Sequence, residues 1–250
     1  MTRVALGIVV LVSLLAAALP ALAQPVAVRF AEGVGRGFPV IRAATGERLA
    51  QGDVMQFPRG DRLENRMVFR FRDGSVYDER VVFSQNGVFT VHAYSLVQRG
   101  PSFPEVIEAH LDRDTGRYRV RHQAETDGPE EVFEGRIDLP PDVYNGLLTT
   151  LMKNLSPGVS ARVKVVAFTP TPRLVTMVLA AAAEEEVAVG EMALPATRYH
   201  LEPQLGALTA FLIADLPVAR CWIVRGDAPA FLRFEGPLFF MGPVWRIEPN

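Results

Sequence analysis

From Met67 onward the chain alternates apolar and polar side chains in short runs divided by turn chemistry. Met67, Phe69 and Phe71 interleave with Val68, Arg70 and Arg72, a period of two that gives a strand one apolar and one wet face. Asp73-Gly74 follows, a dipeptide suited to the positive φ angles of a tight hairpin. Val76 to Phe83 is the return run, and Asn86-Gly87 is a second hairpin signal. Val88 to Gln98 and Phe103 to Leu111 flank the turn Gly100-Pro101-Ser102. Asp114-Thr115-Gly116 then leads into Tyr118, Val120 and His122, alternating with Arg117, Arg119 and Arg121. Turn signals at such near-regular spacing predict an antiparallel meander rather than βαβ units.

One segment has a different period. Val143, Leu147 and Leu151 recur at every fourth residue, as do Tyr144, Leu148 and Met152, while Asp142, Asn145, Thr149, Lys153 and Asn154 fall largely on the other side. The pattern predicts an amphipathic helix over about 141–155, opened by Pro140, Pro141 and Asp142 and closed by Ser156-Pro157-Gly158. The internal Gly146 costs such a helix about 1 kcal/mol.

Strand texture then returns over Ala161–Phe168, Arg173–Ala181, Val187–Leu194 and Ala196–Leu201, with Glu184-Glu185-Glu186 read as an exposed turn. Gly206 to Leu216 is apolar and admits a short second helix (about 206–216), ended by Pro217. Val218–Val224, Ala230–Phe234 and Val244–Ile247 read as closing strands. Neither a linker nor a repeat divides the chain, so residues 62–250 are expected to form a single β-barrel-like domain behind an N-terminal extended segment, 24–61. A meander this long must curl or close to protect its edges. The fold expected is mostly β, an antiparallel β-barrel or curved half-barrel, with the helix packed on its open end or concave face.

The first 23 residues read as a signal peptide: Arg3, then an apolar run from Val4 to Leu19, then Ala21-Leu22-Ala23 before a mature start at Gln24. With Gln24 rather than a cysteine after the cut, a lipid anchor is not expected, and no later segment has the length and apolarity of a membrane-spanning helix. The protein is therefore expected to be exported, periplasmic or extracellular in a bacterium.

Composition narrows the choice of function. The chain is 49% hydrophobic with 15 phenylalanines, which excludes disorder, and its net charge of −2 leaves no electrostatic footprint for nucleic acid. A single cysteine, Cys221, rules out an internal disulfide.

Three groups of residues carry candidate chemistry. His92, His110 and His122 lie on three consecutive expected strands, and with even-sum register in both hairpins they would share one face, His92 opposite His110, as an open zinc site; an odd register in either separates them. Cys221, with His200 as a conceivable base, shares its parity with Ala219 and Ile223, the mark of a buried structural thiol. Arg117, Arg119 and Arg121, joined by Arg113, form a basic stripe able to fork onto a phosphate or carboxylate, although Glu108, Asp112 and Asp114 make it a mixed-charge face.

No nucleophile elbow, phosphate loop, zinc-protease helix or dinucleotide fingerprint occurs. Asp78 and Glu79 are adjacent, so on a strand they face opposite ways and cannot pair as acid and base.

Five stretches are longer than turn chemistry requires: Phe71-Arg72-Asp73-Gly74-Ser75-Val76-Tyr77-Asp78-Glu79, Gln98-Arg99-Gly100-Pro101-Ser102-Phe103-Pro104, Leu139-Pro140-Pro141-Asp142-Val143-Tyr144-Asn145-Gly146, Pro170-Thr171-Pro172-Arg173-Leu174-Val175 and Gly242-Pro243-Val244-Trp245-Arg246-Ile247-Glu248. Together they resemble a family of secreted bacterial β-rich proteins to which no activity is attached. The helix-plugged, strand-rich plan is also similar to the periplasmic half-barrels of the LolA/LolB lipoprotein-carrier type, a likeness of architecture that transfers no residue role.

The leading functional expectation is a non-enzymatic exported protein binding an apolar small molecule, a lipid or acyl chain, in a barrel cavity lined by Phe69, Phe71, Val91, Leu147, Leu151 and Trp222. No catalytic residue and no cofactor is expected. The alternatives are a metal-assisted hydrolase on the histidine face and a structural or partner-binding cell-envelope module.

Overall fold

A computed structural model describes residues 25–125, 128–169, 171–189, 191–204 and 218–250. The expected signal peptide and the expected second helix over 206–216 lie outside the described residues. In chain order the strands are β1 (Gly35–Gly37), β2 (Pro39–Arg42), β3 (Arg48–Arg59), β4 (Arg62–Phe71), β5 (Val76–Asn86), β6 (Val88–Arg99), β7 (Val106–Asp112), β8 (Arg117–Gln123) and β9 (Glu131–Arg136). After the helix α1 (Leu148–Asn154) come β10 (Ala161–Thr169), β11 (Thr171–Val189), β12 (Met192–Gln204), β13 (Ala219–Val224), β14 (Ala230–Gly236) and β15 (Trp245–Pro249).

All the strands join one antiparallel sheet in the order β10-β11-β12-β13-β14-β15-β2-β3-β4-β5-β6-β7-β8-β9, with β1 beside β3. The four expected turns connect β4 to β8 as successive hairpins. The last strand, β15, pairs with β2, so an early strand and the final one meet in mid-sheet. Strands β2 and β3 belong to the segment 24–61 that the sequence suggested was an extension, yet they stand in the middle of the sheet. Gly52, Asp53 and Pro58 dilute the alternation of β3 and hide it from a periodicity reading.

The end strands β9 and β10 do not pair with each other, so the sheet is open and not a closed barrel. It is nevertheless curled. Tyr94 on β6 stacks on Phe168 of β10, with ring centroids 5.9 Å apart, although many strands separate β6 from β10 along the ladder. One buried cluster accordingly unites Phe83, Val91 and Val120 with Val163, Leu179, Leu201 and Cys221 from the other limb. Among the described residues, no helix is long and apolar enough to cross a membrane.

Inside the curl sits the segment 142–155. Its apolar stripe is buried as the pattern indicated, with Val143, Tyr144, Leu147, Leu151 and Met152 all at 1% exposure or less. The helix itself is shorter than 141–155, only Leu148–Asn154. Gly146 takes φ +72° against Val81 and so ends any helical path from the N-terminal side. The residues before it pair with β10 instead: Val143 bridges Lys164 in parallel, and Asn145 uses its side-chain amide like a strand backbone, donating to the Val166 carbonyl at 2.8 Å and accepting from the Val166 N–H at 2.7 Å. A repeat of four positions cannot distinguish this half-extended plug from a longer helix, because both bury the same side chains.

The acidic run Glu184–Glu186 is also not a turn. Strand β11 continues through it, with one bulge at Ala182, where the register steps from Ala181↔Tyr199 to Ala183↔Arg198. Neighbouring strands hold two of the acids: Arg225 reaches Glu184 at 2.7 Å, and Glu185 takes both Arg198 and the Trp222 indole N–H.

Candidate functional site

The helix-facing side of the sheet carries two buried clusters. One surrounds the plug; the other gathers Ile41, Phe69, Phe71, Tyr77, Phe103 and Trp245. Leu96, Phe231 and Phe234 pack against both and keep part of their surface accessible, so they mark a seam between the two cores.

At this seam lies a carboxyl group. Glu79 stands opposite Leu96, and the Tyr94 hydroxyl donates to Glu79 Oε1 at 2.7 Å. Glu79 is half-buried there. Burial pushes its pKa above the ordinary glutamate value, and hydrogen bonds from Tyr94 and, more weakly, Tyr77 pull it only partly back. Burial and the neighbouring Glu79 charge together push both tyrosine hydroxyls well above their usual range. Asp78 points the other way, to Arg66 Nε at 3.0 Å, as strand alternation demands. The seam thus joins apolar surface to a carboxyl group whose ionisation burial makes harder, a combination suited to an amphipathic guest.

The opposite face carries a trough of about 780 Å³. Two adjacent cross-strand rows build it: Val82, Ala93, Asp112, Arg117 and Arg136 in one, Arg80, Ser95, His110, Arg119 and Glu134 in the other. Ala93 and Ser95 are short, so the floor drops along β6, while long arginines stand on β5, β8 and β9. Glu64, nearly buried, holds Arg59 at 2.6 Å and Arg80 at 3.1 Å along one wall. A second hollow on the same face, about 500 Å³, includes Arg48, Arg70 and Arg72 in its lining.

The expected lining residues do not share one hollow. Val91, Leu147 and Leu151 are packed into the cluster around the plug, and Phe69 and Phe71 into the other. Trp222 lies on the far face, opposite Arg198 and Arg233, in a third cluster with Val187, Ala196 and Leu232. Its neighbours Cys221 and Ile223 take the inward positions, and a strand cannot send successive side chains to the same side.

The histidines are likewise apart. His110 stands opposite Ser95 and Arg119 on the trough face, whereas His122 stands opposite Ile107 on the helix-facing side. His92 is the extra residue of a bulge, where the register steps from Val82↔Ala93 to Phe83↔Val91. Its Nε2 pairs with Ser84 at 2.9 Å, and His122 Nε2 pairs with Glu105 at 2.8 Å. Among the described residues, no group of three His, Cys, Asp or Glu side chains is placed to hold a metal ion.

Cys221 is fully buried, its thiol pushed far above its usual range by burial alone, and it stands opposite Tyr199, not His200. The basic stripe divides. Arg117 and Arg119 enter the trough, Arg121 is held by Glu108 and Glu130, and Arg113 turns inward to donate to the carbonyls of Val91, Leu139, Pro140 and Val143.

Two of the long motifs meet in a loop clasp. The Ser102 hydroxyl donates to Asp73 Oδ2 at 2.7 Å, the Ser102 N–H to Ser75 Oγ at 2.8 Å, and the Ser75 N–H to Asp73 Oδ1 at 2.9 Å. Gly100 lies so close to Ser75 that a Cβ there would be 2.6 Å from Ser75 Cα. The clasp holds the β4–β5 and β6–β7 loops together, which gives Asp73, Ser75 and Ser102 a structural role.

Sequence reasoning missed the seam because Glu79 is one charge among many and Leu96 one leucine among many; only the odd parity shared by Tyr77, Glu79 and Val81 pointed to a common face. No protein-family model matches the chain, and no match was found among curated proteins or solved structures.

Proposed function

We propose that this is an exported, non-enzymatic binding protein that shelters an apolar or amphipathic ligand, a lipid or acyl chain, on the inner side of its open half-barrel. The observation that carries the reading is the seam: Leu96, Phe231 and Phe234 remain partly accessible between two cores, beside the Glu79 carboxyl and the tyrosines that contact it. An acyl chain placed there covers apolar surface at about 25 cal/mol per Å². Its polar end meets the Glu79 carboxyl group and the hydroxyl of Tyr94 that donates to it.

The partner-binding alternative receives less support. The edge strand β9 carries Glu131, Glu134 and Arg136, and the other edge, β10, is partly covered where Tyr144 N–H donates to the Lys164 carbonyl at 2.9 Å. Charge and cover both blunt an edge against strand addition. The scattered histidines give the hydrolase reading no site to build on.

The test is titration of delipidated protein with a fluorescent fatty-acid probe, alongside native mass spectrometry of protein purified from its own host. Saturable binding in the micromolar range, weakened by Leu96→Gln or Phe234→Ser in variants that still unfold cooperatively, supports the reading. No probe binding together with no co-purifying lipid overturns it.

A further inference from the structure

We infer that the arginine trough on the face away from the helix is a second binding site, for a phosphate-bearing group held between Arg117 and Arg136. The two arginines are direct cross-strand partners on β8 and β9, both exposed. Like charges directly opposite one another destabilise a sheet pair. Several other arginines on this face are compensated: Arg66 by Asp78, Arg59 and Arg80 by Glu64, Arg119 by Glu134 at 3.2 Å, Arg121 by Glu108 and Glu130. Arg48, Arg70 and Arg72 around the second hollow have no ion pair among the described residues, but they do not stand as a facing pair beside the larger trough. Among the described residues, no carboxylate lies within ion-pairing distance of Arg117 or Arg136.

The nearest acid in their row is Asp112, directly opposite Arg117, yet its Oδ1 is engaged locally by the Thr115 N–H and hydroxyl, both at 2.8 Å. Two guanidiniums side by side at the trough, neither held by a carboxylate, can each offer a fork of two parallel hydrogen bonds to a tetrahedral dianion. The surroundings continue the match. Ser95 and His110 offer further polar groups along the floor and wall, and Glu64 holds Arg59 and Arg80 in place at the far side, so a ligand with a second anionic group has a second anchor.

Three strand steps separate Arg80 from Arg119, roughly 14 Å at sheet spacing, which suits a compact phosphorylated head rather than a long polymer. The group can be a soluble phosphate ester or the head of an anionic phospholipid; the chemistry read by the arginines is the same. This inference rests on the opposite face from the proposed acyl seam and stands or falls independently of it.

The test is calorimetric titration of the full protein with inorganic pyrophosphate, beside flotation with vesicles of phosphatidylglycerol or of phosphatidylcholine. Saturable pyrophosphate binding that weakens with salt, and falls about tenfold for each of Arg117→Gln and Arg136→Gln, is the expected result. Arg121→Gln, which removes the same charge from a compensated position, leaves binding within about twofold of the unaltered protein by the weak long-range screening of exposed charges. Binding to phosphatidylglycerol vesicles alone, lost in the same two variants, assigns the phosphate to a lipid head. No binding to either probe, or equal losses in Arg117→Gln and Arg121→Gln, overturns the inference. Unchanged thermal unfolding of the variants shows that the site and not the fold has been altered.

Discussion

The Lys164 ammonium lies 2.8 Å from Asp142 Oδ2 and 3.2 Å from Oδ1, fastening the start of the plug to the edge strand of the half-barrel. Asp142 is buried at 2% exposure and its backbone carbonyl also accepts from the Lys164 N–H at 2.8 Å, so main chain and side chain make one joint. Replacing Asp142 by Ala leaves the ammonium without its partner at a partly dry site and is expected to destabilise the fold by about 2 kcal/mol. Urea unfolding checks this; an unchanged midpoint would mean that the ion pair contributes nothing.

Gly146 is the corner at which the plug changes from paired strand to helix. A Cβ there is strained at φ +72° and lies 3.1 Å from Val81. Gly146→Ala is expected to cost about 1–3 kcal/mol, despite alanine's better helix propensity. A variant as stable as the parent by denaturant melt would show that the helix can extend backward, contrary to the observed corner.

Glu79 gives stability a dependence on rising pH. Its folded-state pKa is raised by burial, so the unfolded chain loses its proton first as pH rises. The contribution is complete below the ordinary glutamate value of 4.5 and is lost as pH climbs through the raised folded value. Glu79→Gln keeps an acceptor for Tyr94 but cannot ionise, and it is expected to flatten this part of the stability–pH curve. Parallel curves for parent and variant across that window would refute the assignment.

Asp73 acts in the opposite sense. Burial alone would raise its carboxyl, but hydrogen bonds from Ser102 and Ser75 prevail and hold it below the usual aspartate value. Its contribution is present above that usual value and disappears as pH falls through the lowered one. Ser102→Ala is expected to shift the acid end of the unfolding profile toward higher pH and to loosen both loops, read as faster amide exchange at Gly74 and Gly100.

Cys221 should be silent toward thiol reagents in the native protein. Its sulfur is buried and its ionisation suppressed, so modification is expected only at the rate of opening, rising in step with denaturant. Rapid stoichiometric labelling under native conditions would mean that β13 is exposed.

Local chemistry made much of the fold legible. The hairpins from β4 to β8 follow directly from period-two alternation and turn dipeptides such as Asp73-Gly74 and Asn86-Gly87, and the burial of Leu147 and Leu151 follows from their spacing. Where the reading failed, neighbours overrode the local signal. Glu184–Glu186 look like a turn until Arg225 and Arg198 pair with Glu184 and Glu185 beside a continuous ladder, and Trp222 faces away from the plug because Cys221 faces toward it.

Alternation, turns and stripe are properties of adjacent residues, and they establish an all-antiparallel β architecture with an apolar plug without reference to any distant contact. Register, face and closure are not. A single extra residue at His92 or Ala182 reverses which side chains share a face, and whether β9 meets β10 depends on twist summed over the whole sheet. For that reason the Glu79 seam, the separation of the histidines and the uncompensated arginine pair exist only in the folded molecule, where strands far apart in the chain set which charges are answered and which are not.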